Sequence, residues 1–231
     1  MKKKYKAVFF DLDHTLWDFE TNSAEALREL HHAYGLHHKG VGIDDFLQTF
    51  KRINLQLWHQ YDTGQIPQET IRKQRFHRIL LEHNIDEYEL SLQFSQDYVS
   101  QSPKKQNLIP HAKTVLEYLH PQYPLHIITN GFSEIQAIKM TSSGILHFFT
   151  SIVMSEKAGH KKPAKEIFEY ALTENSLRAD EVIMIGDNLV TDIGGAKAAQ
   201  LDTVYFNPTA APHHEKVTHE ITSLLNLKDL L

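Results

Sequence analysis

Hydrophobic and polar residues follow two different periods along this chain. An unbroken apolar run at residues 7–10 is typical of a strand that is buried on both faces of a parallel sheet. Apolar residues then recur at helical spacing without a strand signal, which predicts four amphipathic helices over residues 22–34, 44–61, 68–83 and 86–100. Further along, strand-like and helix-like segments alternate, which predicts right-handed crossovers and a parallel sheet.

The alternating part supplies most of the predicted sheet. Its predicted strands are 125–130, 151–155, 181–187 and 203–207, and its predicted helices are 110–119, 132–143, 163–175 and 189–199. The fold class that follows is α/β, with a Rossmann-like parallel-sheet core and an inserted all-α unit. We assign residues 1–17 and 107–231 to the core and residues 18–106 to the insertion.

Single residues refine some of these boundaries. Asn22 or Ser23 is expected to cap the first helix, and Pro163 is expected at a favourable first-turn position of its helix. The basic residues before the first strand are interpreted as its solvated lead-in: Lys2, Lys3, Lys4 and Lys6.

Composition and charge narrow the function classes. The 231-residue chain has a net charge of −5, which argues against a nucleic acid polymer as its partner. No run of about 18 apolar residues occurs, and the basic start leads into acid, so neither a membrane span nor a signal peptide is expected. The absence of cysteine excludes thiolate metal sites and fits a cytoplasmic protein. The 16 histidines lack metal-ligand spacing, which favours structural or surface roles.

Acidic residues follow the first predicted strand directly. Asp11 and Asp13 have one residue between them and precede Thr15. Open α/β sheets bind their ligands outside the carboxyl ends of the strands. Two carboxylates this close repel each other unless a cation or a shared proton relieves them, so the pair predicts a metal ion, acid–base chemistry, or both. An N-cap with a turn is the alternative for this motif by itself.

Polar residues also follow other predicted strands. These residues are Thr129, Asn130 and Gly131; Lys162, just before a predicted helix; and Gly186, Asp187, Asn188 and Asp192. Each has an ordinary explanation by itself, as a helix cap or a surface lysine. Because the carboxyl ends of parallel strands meet at one edge of the sheet, their joint occurrence predicts a single site.

Four of these motifs together resemble those of the haloacid dehalogenase (HAD) superfamily of phosphohydrolases. They are DLDHT (11–15), TNG (129–131), Lys162 before Pro163, and GDNLVTD (186–192). The resemblance covers residues 5–20 and 107–210, and the predicted helical insertion stands where this superfamily carries its first type of cap. The resemblance implies the HAD fold and hydrolysis of a phosphate ester.

The resemblance also implies roles for individual residues, with Mg²⁺ as the cofactor. Asp11 would attack phosphorus and form an aspartyl-phosphate, while Asp13 would protonate the leaving oxygen and then deprotonate water. Asp11, Asp187 and the backbone carbonyl of Asp13 would hold the metal, with Asn188 and Asp192 behind them. The implied phosphate contacts are Thr129, Asn130, the Gly131 N–H and Lys162.

The insertion indicates a substrate class. Residues 54–76 are similar to the cap of bacterial pyrimidine 5′-nucleotidases of this superfamily, and the extension of the acidic loop, LWDF at residues 16–19, also suits that group. The shared cap features are Asn54, Leu57, Trp58, Tyr61, Gly64, Ile66, Arg75 and Phe76, and the pair Ser155–Glu156 also suits that group. Trp17, Trp58 and Arg75 are therefore candidate substrate contacts, the aromatic rings by stacking on a base and Arg75 at a polar edge or the sugar. Core packing is the alternative for Trp58 and Phe76.

The favoured function is a Mg²⁺-dependent nucleoside 5′-monophosphate phosphatase that prefers pyrimidines. A phosphatase of a sugar phosphate or of phosphoglycolate is the alternative, followed by a phosphoglucomutase-like or dehalogenase-like enzyme and a catalytically silent binding protein. Asp13 favours a phosphatase over a dehalogenase, since a halide leaving group needs no proton. The expected partner is a small phosphate ester, not a nucleic acid polymer or a membrane, and the expected assembly is a monomer or homodimer.

Overall fold

The computed structural model describes residues 5–231 of the chain, which form two compact units. We call Glu20–Lys105 the helical unit and the remainder, up to Phe19 and from Gln106 to Leu231, the α/β unit. The divisions predicted from the sequence lay after residues 17 and 106. Of the lysines predicted to be solvated, Lys2, Lys3 and Lys4 lie outside the described residues, and Lys6 is exposed.

A six-stranded sheet forms the centre of the α/β unit. Its strands are β1 (Ala7–Phe10), β2 (Leu125–Thr129), β3 (Phe149–Met154), β4 (Val182–Gly186), β5 (Asp202–Phe206) and β6 (His219–Ile221). Their spatial order is β3-β2-β1-β4-β5-β6, and every neighbouring pair is parallel. The predicted parallel α/β sheet is confirmed. The edge strand β6 was not predicted, because three residues with one buried side chain carry little apolar signal.

The central strand β1 is apolar along its whole length because both of its faces are covered. Successive side chains of a strand point to opposite faces. Val8 and Phe10 therefore join one hydrophobic core, while Ala7 and Phe9 join the core on the other face. All four residues are fully buried.

The helices connect these strands and build the helical unit. They are α1 (Phe19–Ala33), α2 (Ile43–Asp62), α3 (Gln68–Glu82), α4 (Tyr88–Gln101), α5 (Ala112–Leu119), α6 (Ser133–Ser142), α7 (Ser155–Ala158), α8 (Lys165–Glu174), α9 (Gly195–Ala198) and α10 (Leu227–Leu230). Short 3₁₀ helices occupy Leu36–Lys39, Ser102–Lys104, Leu146–Phe148, Ala179–Glu181 and Leu224–Asn226.

Two predicted helix starts were wrong. Asn22 and Ser23 do not cap α1 but lie buried inside it, and the Ser23 hydroxyl forms a 2.8 Å hydrogen bond with the Tyr98 hydroxyl. Pro163 lies two residues before α8 rather than in its first turn. The reason is that the backbone at Lys162 is tied to a loop by side-chain hydrogen bonds, described below, so the helix begins only after this anchored segment.

The helix predicted over residues 189–199 is irregular. Leu189–Gly194 form a π-helical segment, in which the Ile193 N–H bonds the Asn188 carbonyl five residues earlier, and only then does α9 begin. The Asn188 side chain caps this segment by accepting the N–H groups of Val190 and Thr191 at 2.9 and 3.0 Å. Such wide turns recur at functional sites.

Aromatic side chains form the interior of the helical unit. Phe76 of α3 is almost fully buried, with its ring centroid 4.7 Å from that of Phe94 and 5.9 Å from that of Phe50. Aromatic pairs at such distances stabilise a core beyond their buried area. Phe76 therefore packs in the core of the helical unit, which was the alternative interpretation of this residue. None of the helices within residues 5–231 has the length and apolar character needed to cross a membrane.

Candidate active site

The site begins where three neighbouring strands end. Strand β1 lies between β2 and β4, and all three run in the same direction. Asp11 directly follows β1, Thr129 is the last residue of β2, and Asp187 directly follows β4. Parallel pairing thus gathers residues that are far apart in sequence at one edge of the sheet, where open α/β sheets bind ligands.

Lys162 is the central cation of this site. Its ammonium nitrogen lies 2.6 Å from Asp11 Oδ1 and 2.6 Å from Asp192 Oδ1, and the residue is only 2% exposed. Burial by itself lowers the pKa of a lysine, but the two carboxylates outweigh burial and hold the pKa of Lys162 above its usual range. Lys162 therefore stays charged.

The Asn130 side chain positions the backbone of Lys162. Its amide nitrogen donates to the Lys162 carbonyl at 2.8 Å, and its amide oxygen accepts the Lys162 N–H at 2.8 Å. Both ends of the amide are thereby used in holding the lysine loop against the end of β2. In this structure the Asn130 side chain holds the Lys162 loop, and the phosphate contact that the resemblance implied for Asn130 stays a prediction.

Three carboxylates crowd around the single ammonium group. Asp11, Asp187 and Asp192 each offer an oxygen atom within 4.8 Å of the others. Burial raises the pKa of Asp11 well above its ordinary value, and the charges of Asp192 and Asp187 raise it further against the opposing effect of Lys162. Burial and Asp192 likewise raise the pKa of Asp187, whose Oδ1 accepts the Thr15 hydroxyl at 3.0 Å. The site thus holds an excess of negative charge.

The residues of this cluster fit a magnesium ion. Buried carboxylates with one counter-ion among three are relieved by a divalent cation, and Mg²⁺ prefers oxygen ligands. Asp192 already accepts Lys162 on Oδ1 and the Asn188 N–H on Oδ2, at 3.0 Å, so both of its oxygens have protein partners. Gly186 allows this approach, because a Cβ there would lie 2.4 Å from Asp192 Oδ2. Asp11 and Asp187 have more capacity left for a metal.

Asp13 sits in the opposite electrostatic environment. Lys139 of α6 donates to its Oδ1 at 2.6 Å and to its Oδ2 at 2.8 Å, and the Gln136 amide nitrogen donates to Oδ2 at 3.0 Å. Burial favours the protonated acid, but Lys139 and Gln136 outweigh it and lower the pKa of Asp13 below its usual range. The pKa of Asp11 is thus raised and that of Asp13 is lowered, although the two carboxylates are only two residues apart.

The loop after β2 is held by hydrogen bonds of its own. The Gly131 N–H donates to Thr129 Oγ1 at 3.0 Å, and the Gln136 amide nitrogen donates to the same oxygen at 2.8 Å. A hydroxyl has two acceptor lone pairs and one proton to donate. With both lone pairs engaged, the Thr129 hydroxyl can serve a bound anion as a donor.

The chain is similar to known proteins over nearly its whole length. A sequence model of haloacid dehalogenase-like hydrolases matches residues 5–200. The chain belongs to this family. Full-length relatives include the HAD-hydrolase YfnB of Bacillus subtilis, 32% identical over 99% of this chain and 96% of YfnB. Two pyrimidine 5′-nucleotidases are also similar: PynA of Streptococcus pneumoniae, 30% identical over 98% of this chain and 95% of PynA, and YjjG of Escherichia coli, 29% identical over 99% and 98%.

Solved structures support the assignment of this HAD-family chain. The crystal structure of YfnB, which is bound to magnesium, has a TM-score of 0.90 and covers 99% of both chains at 31% identity. Several 2-haloacid dehalogenases also share the fold, at identities of 22% or below. The predicted superfamily and HAD fold are confirmed. The family match and the 5′-nucleotidase relatives indicate that this chain is an enzyme of the phosphoric monoester hydrolase class.

The structure places the three predicted substrate contacts in different surroundings. Trp17 is fully buried in the core of the α/β unit, so it does not offer its ring to a substrate there. Arg75 is 4% exposed within the helical unit, where it donates to Asn54 Oδ1 at 2.9 Å. Trp58 is half-buried, with its ring edge-on to Tyr61 at 5.6 Å.

Sequence analysis missed the two α6 residues at the site, Gln136 and Lys139. Both lie in the helix predicted over residues 132–143, and their spacing of three places them on one helix face. That face could have been related to the polar end of β2, since only three residues separate the strand from the helix. The pattern does not show that the partner is Asp13, because the contact depends on how the helix is rotated against the sheet.

Proposed function

We propose that this HAD-family hydrolase is a Mg²⁺-dependent phosphomonoesterase that acts through an aspartyl-phosphate, with pyrimidine nucleoside 5′-monophosphates as its preferred substrates. The observation that carries the proposal is the contrasting environment of two neighbouring carboxylates. Asp11 belongs to a buried acidic cluster with a single ammonium group, whereas Asp13 is paired outside that cluster with Lys139. A nucleophile and an acid–base group need such separate surroundings.

Asp11 is the proposed nucleophile. Lys162 binds its Oδ1 and orients the carboxylate, so that an oxygen of Asp11 forms a bond to phosphorus as the bond from phosphorus to the ester oxygen breaks. Lys162 also offsets the negative charge that a phosphate brings beside Asp11 and Asp192. The hydroxyl of Thr129 donates to a phosphate oxygen and helps hold the group in line.

Asp13 is the proposed acid–base residue. A bound phosphate brings negative charge close to its carboxylate, which favours the protonated form in the complex. Asp13 then gives this proton to the departing ester oxygen, and the resulting carboxylate takes a proton from the water that hydrolyses the aspartyl-phosphate. The proton balance closes over the two steps.

Asp11, Asp187 and the backbone carbonyl of Asp13 would hold Mg²⁺, with Asn188 and Asp192 supporting them. The ion supplies positive charge that stabilises the phosphoryl group as it is transferred. Asn188 supports the site from the protein side, since its side chain caps the π-helical segment that carries Asp192. The magnesium bound in the YfnB crystal structure supports magnesium as the ion.

The pyrimidine preference is supported by PynA and YjjG, which cover nearly the whole chain. Trp58 remains a predicted base contact. The role of Arg75 is less direct, since its guanidinium carbon lies 4.7 Å from the Tyr98 ring centroid and its side chain bonds Asn54, both inside the helical unit. We therefore expect Arg75 to stabilise the aromatic packing of that unit.

Other small phosphate esters are the alternative substrates, because the groups around Asp11 recognise phosphate and not the leaving group. The same argument keeps a phosphoglucomutase-like activity as a further alternative. A dehalogenase is disfavoured by Asp13, since a halide leaves without a proton. A catalytically silent binding protein is disfavoured by the family assignment.

Phosphate release from a substrate panel tests the proposal. The panel holds dUMP, dTMP, UMP, AMP, glucose 6-phosphate, β-glucose 1-phosphate and phosphoglycolate, each with and without Mg²⁺. Asp11→Asn should lower kcat/KM by at least about 10³-fold, as expected for loss of a nucleophile. Asp180→Asn, at an exposed carboxylate of the same unit, should leave it unchanged.

Each outcome of the panel has a distinct meaning. A clear preference for the pyrimidine monophosphates supports the full proposal. Release only from sugar phosphates or phosphoglycolate would retain the mechanism and overturn the nucleotidase assignment. Activity that Asp11→Asn leaves intact would overturn the mechanism.

A further inference from the structure

Two side chains of α6 form a bracket around the groups at the ends of β1 and β2. Lys139 donates to both oxygens of Asp13, at 2.6 and 2.8 Å. The single amide nitrogen of Gln136 donates to Asp13 Oδ2 at 3.0 Å and to Thr129 Oγ1 at 2.8 Å. Gln136 is fully buried and Lys139 is 6% exposed, so water competes weakly for these contacts.

The orientation of the Gln136 amide follows from its partners. An ionised carboxylate only accepts hydrogen bonds, so the amide nitrogen and not the oxygen must face Asp13. Within the described part of the chain, the amide oxygen is buried without a hydrogen-bond partner. The amide nitrogen is thereby committed to Asp13 Oδ2 and Thr129 Oγ1.

Gly131 makes room for this amide. A Cβ at Gly131 would lie 1.7 Å from the Gln136 amide nitrogen, a distance that no side chain there could accept. The Gly131 N–H meanwhile donates to Thr129 Oγ1 at 3.0 Å. With Gln136 as the second donor, both lone pairs of the Thr129 hydroxyl are engaged, and its own proton is left to point elsewhere.

Aromatic rings hold Lys139 in place. Its ammonium nitrogen lies 4.5 Å from the Trp17 ring centroid and 5.9 Å from that of Phe19. Cation–π contacts of this kind stabilise a desolvated ammonium group. Trp17 thereby gains a role different from the predicted substrate contact: it supports the lysine that holds Asp13.

We propose that Lys139 and Gln136 are positioning residues that fix the Asp13 carboxylate toward the leaving oxygen of the substrate and the Thr129 hydroxyl toward its phosphate. The proposal rests on the proposed phosphatase function. The two residues differ in what they position. Lys139 acts only through the acid–base group Asp13, whereas Gln136 acts through both Asp13 and the phosphate contact Thr129.

The dependence of the rate on the leaving group tests this proposal. Departure of a nucleoside requires a proton, whereas p-nitrophenolate leaves as a stable anion. Lys139→Met should therefore lower kcat/KM for the best nucleoside monophosphate by about 10²–10⁴-fold, the usual contribution of general acid catalysis. It should lower kcat/KM for p-nitrophenyl phosphate by less than about tenfold. We use kcat/KM because it reports the steps up to departure of the leaving group and excludes hydrolysis of the intermediate.

Three further variants complete the experiment. Lys139→Arg retains the charge and should recover most of the nucleotide activity. Gln136→Leu should lower kcat/KM for both substrates, since it also releases the Thr129 hydroxyl. Lys165→Met, at an exposed lysine that pairs with Glu169 on α8, is the matched control and should change neither. If Lys139→Met does not fold, Lys139→Gln is used for the same comparison.

The outcomes separate this proposal from the proposed function. Equal losses on the two substrates for Lys139→Met, or no loss on either, would overturn the positioning role while the phosphatase assignment stands. A wild-type protein that releases phosphate from no substrate would overturn the proposed function and the bracket's role with it. A loss confined to the nucleotide, with recovery in Lys139→Arg, supports the proposal.

Discussion

Replacing Lys162 by methionine should strongly destabilise the metal-free protein, although it changes the volume of the core little. The ammonium group of Lys162 lies 2.6 Å from both Asp11 and Asp192 and is 2% exposed. Methionine retains a long apolar side chain but removes the charge. Asp11, Asp187 and Asp192 would then face each other within 4.8 Å without a cation.

The size of the effect follows from burial and pairing. Removing one partner of a buried ion pair destabilises a protein by about 3–5 kcal/mol, because the remaining charge is neither solvated nor paired. At about 2–4 °C per kcal/mol, the unfolding temperature should fall by roughly 6–20 °C. The pair of Lys165 and Glu169 is exposed and screened by solvent, so Lys165→Met should be close to wild type.

The loss should also depend on pH, with a sign set by the carboxylates. Burial already raises the pKa of Asp11, and without Lys162 the pKa in the folded state rises further. A carboxyl group with a raised folded-state pKa binds protons more readily when folded, so folding becomes less favourable as the pH rises. The penalty of Lys162→Met should therefore be larger at pH 8 than at pH 5.

Urea unfolding with EDTA present measures these differences, with Lys165→Met beside Lys162→Met at both pH values. The double variant Lys162→Met/Asp192→Asn should recover part of the stability, since it removes one of the unpaired charges. If Lys162→Met unfolds within about 1 kcal/mol of Lys165→Met at pH 8, the charge balance inferred for this site is wrong.

Three further predictions address the metal, the sheet and the loop after β2. Adding Mg²⁺ should raise the unfolding temperature of the wild type, measured by calorimetry, and should remove the loss of stability that the acidic cluster causes as the pH rises. Asp187→Asn should abolish this rise in unfolding temperature, and an identical rise in the variant would exclude Asp187 as a ligand. Burial lowers the pKa of His126 from 6.5 to about 4, so the contribution of His126 to stability should be complete above pH 6.5 and fall by up to about 3 kcal/mol toward pH 4; a His126→Phe variant that shows the same fall in urea titrations would contradict this origin. Gly131→Ala should displace the Gln136 amide, lower kcat/KM by about 10²-fold and destabilise the fold by about 1–3 kcal/mol in urea unfolding, and full activity would show that the 1.7 Å approach is relieved elsewhere.

Parallel-sheet geometry explains why much of the site could be predicted from the sequence. Asp11, Thr129 and Asp187 each lie at the carboxyl end of an apolar run, and the ends of neighbouring parallel strands meet at one edge. Lys162 belongs to no strand, and its inclusion came from the order of the motifs. Its contact with Asp11 depends on Asn130, which ties the loop to the end of β2.

The remaining features depend on contacts that leave little local signal. Periodicity places the helix of residues 132–143 correctly but does not say how it is rotated against the sheet, so the contact of Lys139 with Asp13 could not be read from it. Trp17 was predicted as a substrate contact because the segment LWDF suits the pyrimidine 5′-nucleotidases, and its ring packs against the Lys139 ammonium group, a contact that the local sequence does not show. The π-helical segment Leu189–Gly194 carries Asp192, whose carboxylate accepts the Lys162 ammonium group from 30 residues away, a contact that periodicity does not show.

The spacing of Asp11 and Asp13 predicts two carboxylates at one place but not how they differ. That difference comes from what surrounds each one. Asp11 faces Asp187 and Asp192 with a shared ammonium group, so it stays short of positive charge and is suited to a metal and an electrophilic phosphorus. Asp13 forms an ion pair with Lys139 that fixes the orientation of its carboxylate, which suits a group that must pass a proton to one atom and recover one from another. Exchanging these environments would need changes on α6 and in the Lys162 loop, far from either aspartate in sequence, and this is why the motif alone does not contain the mechanism.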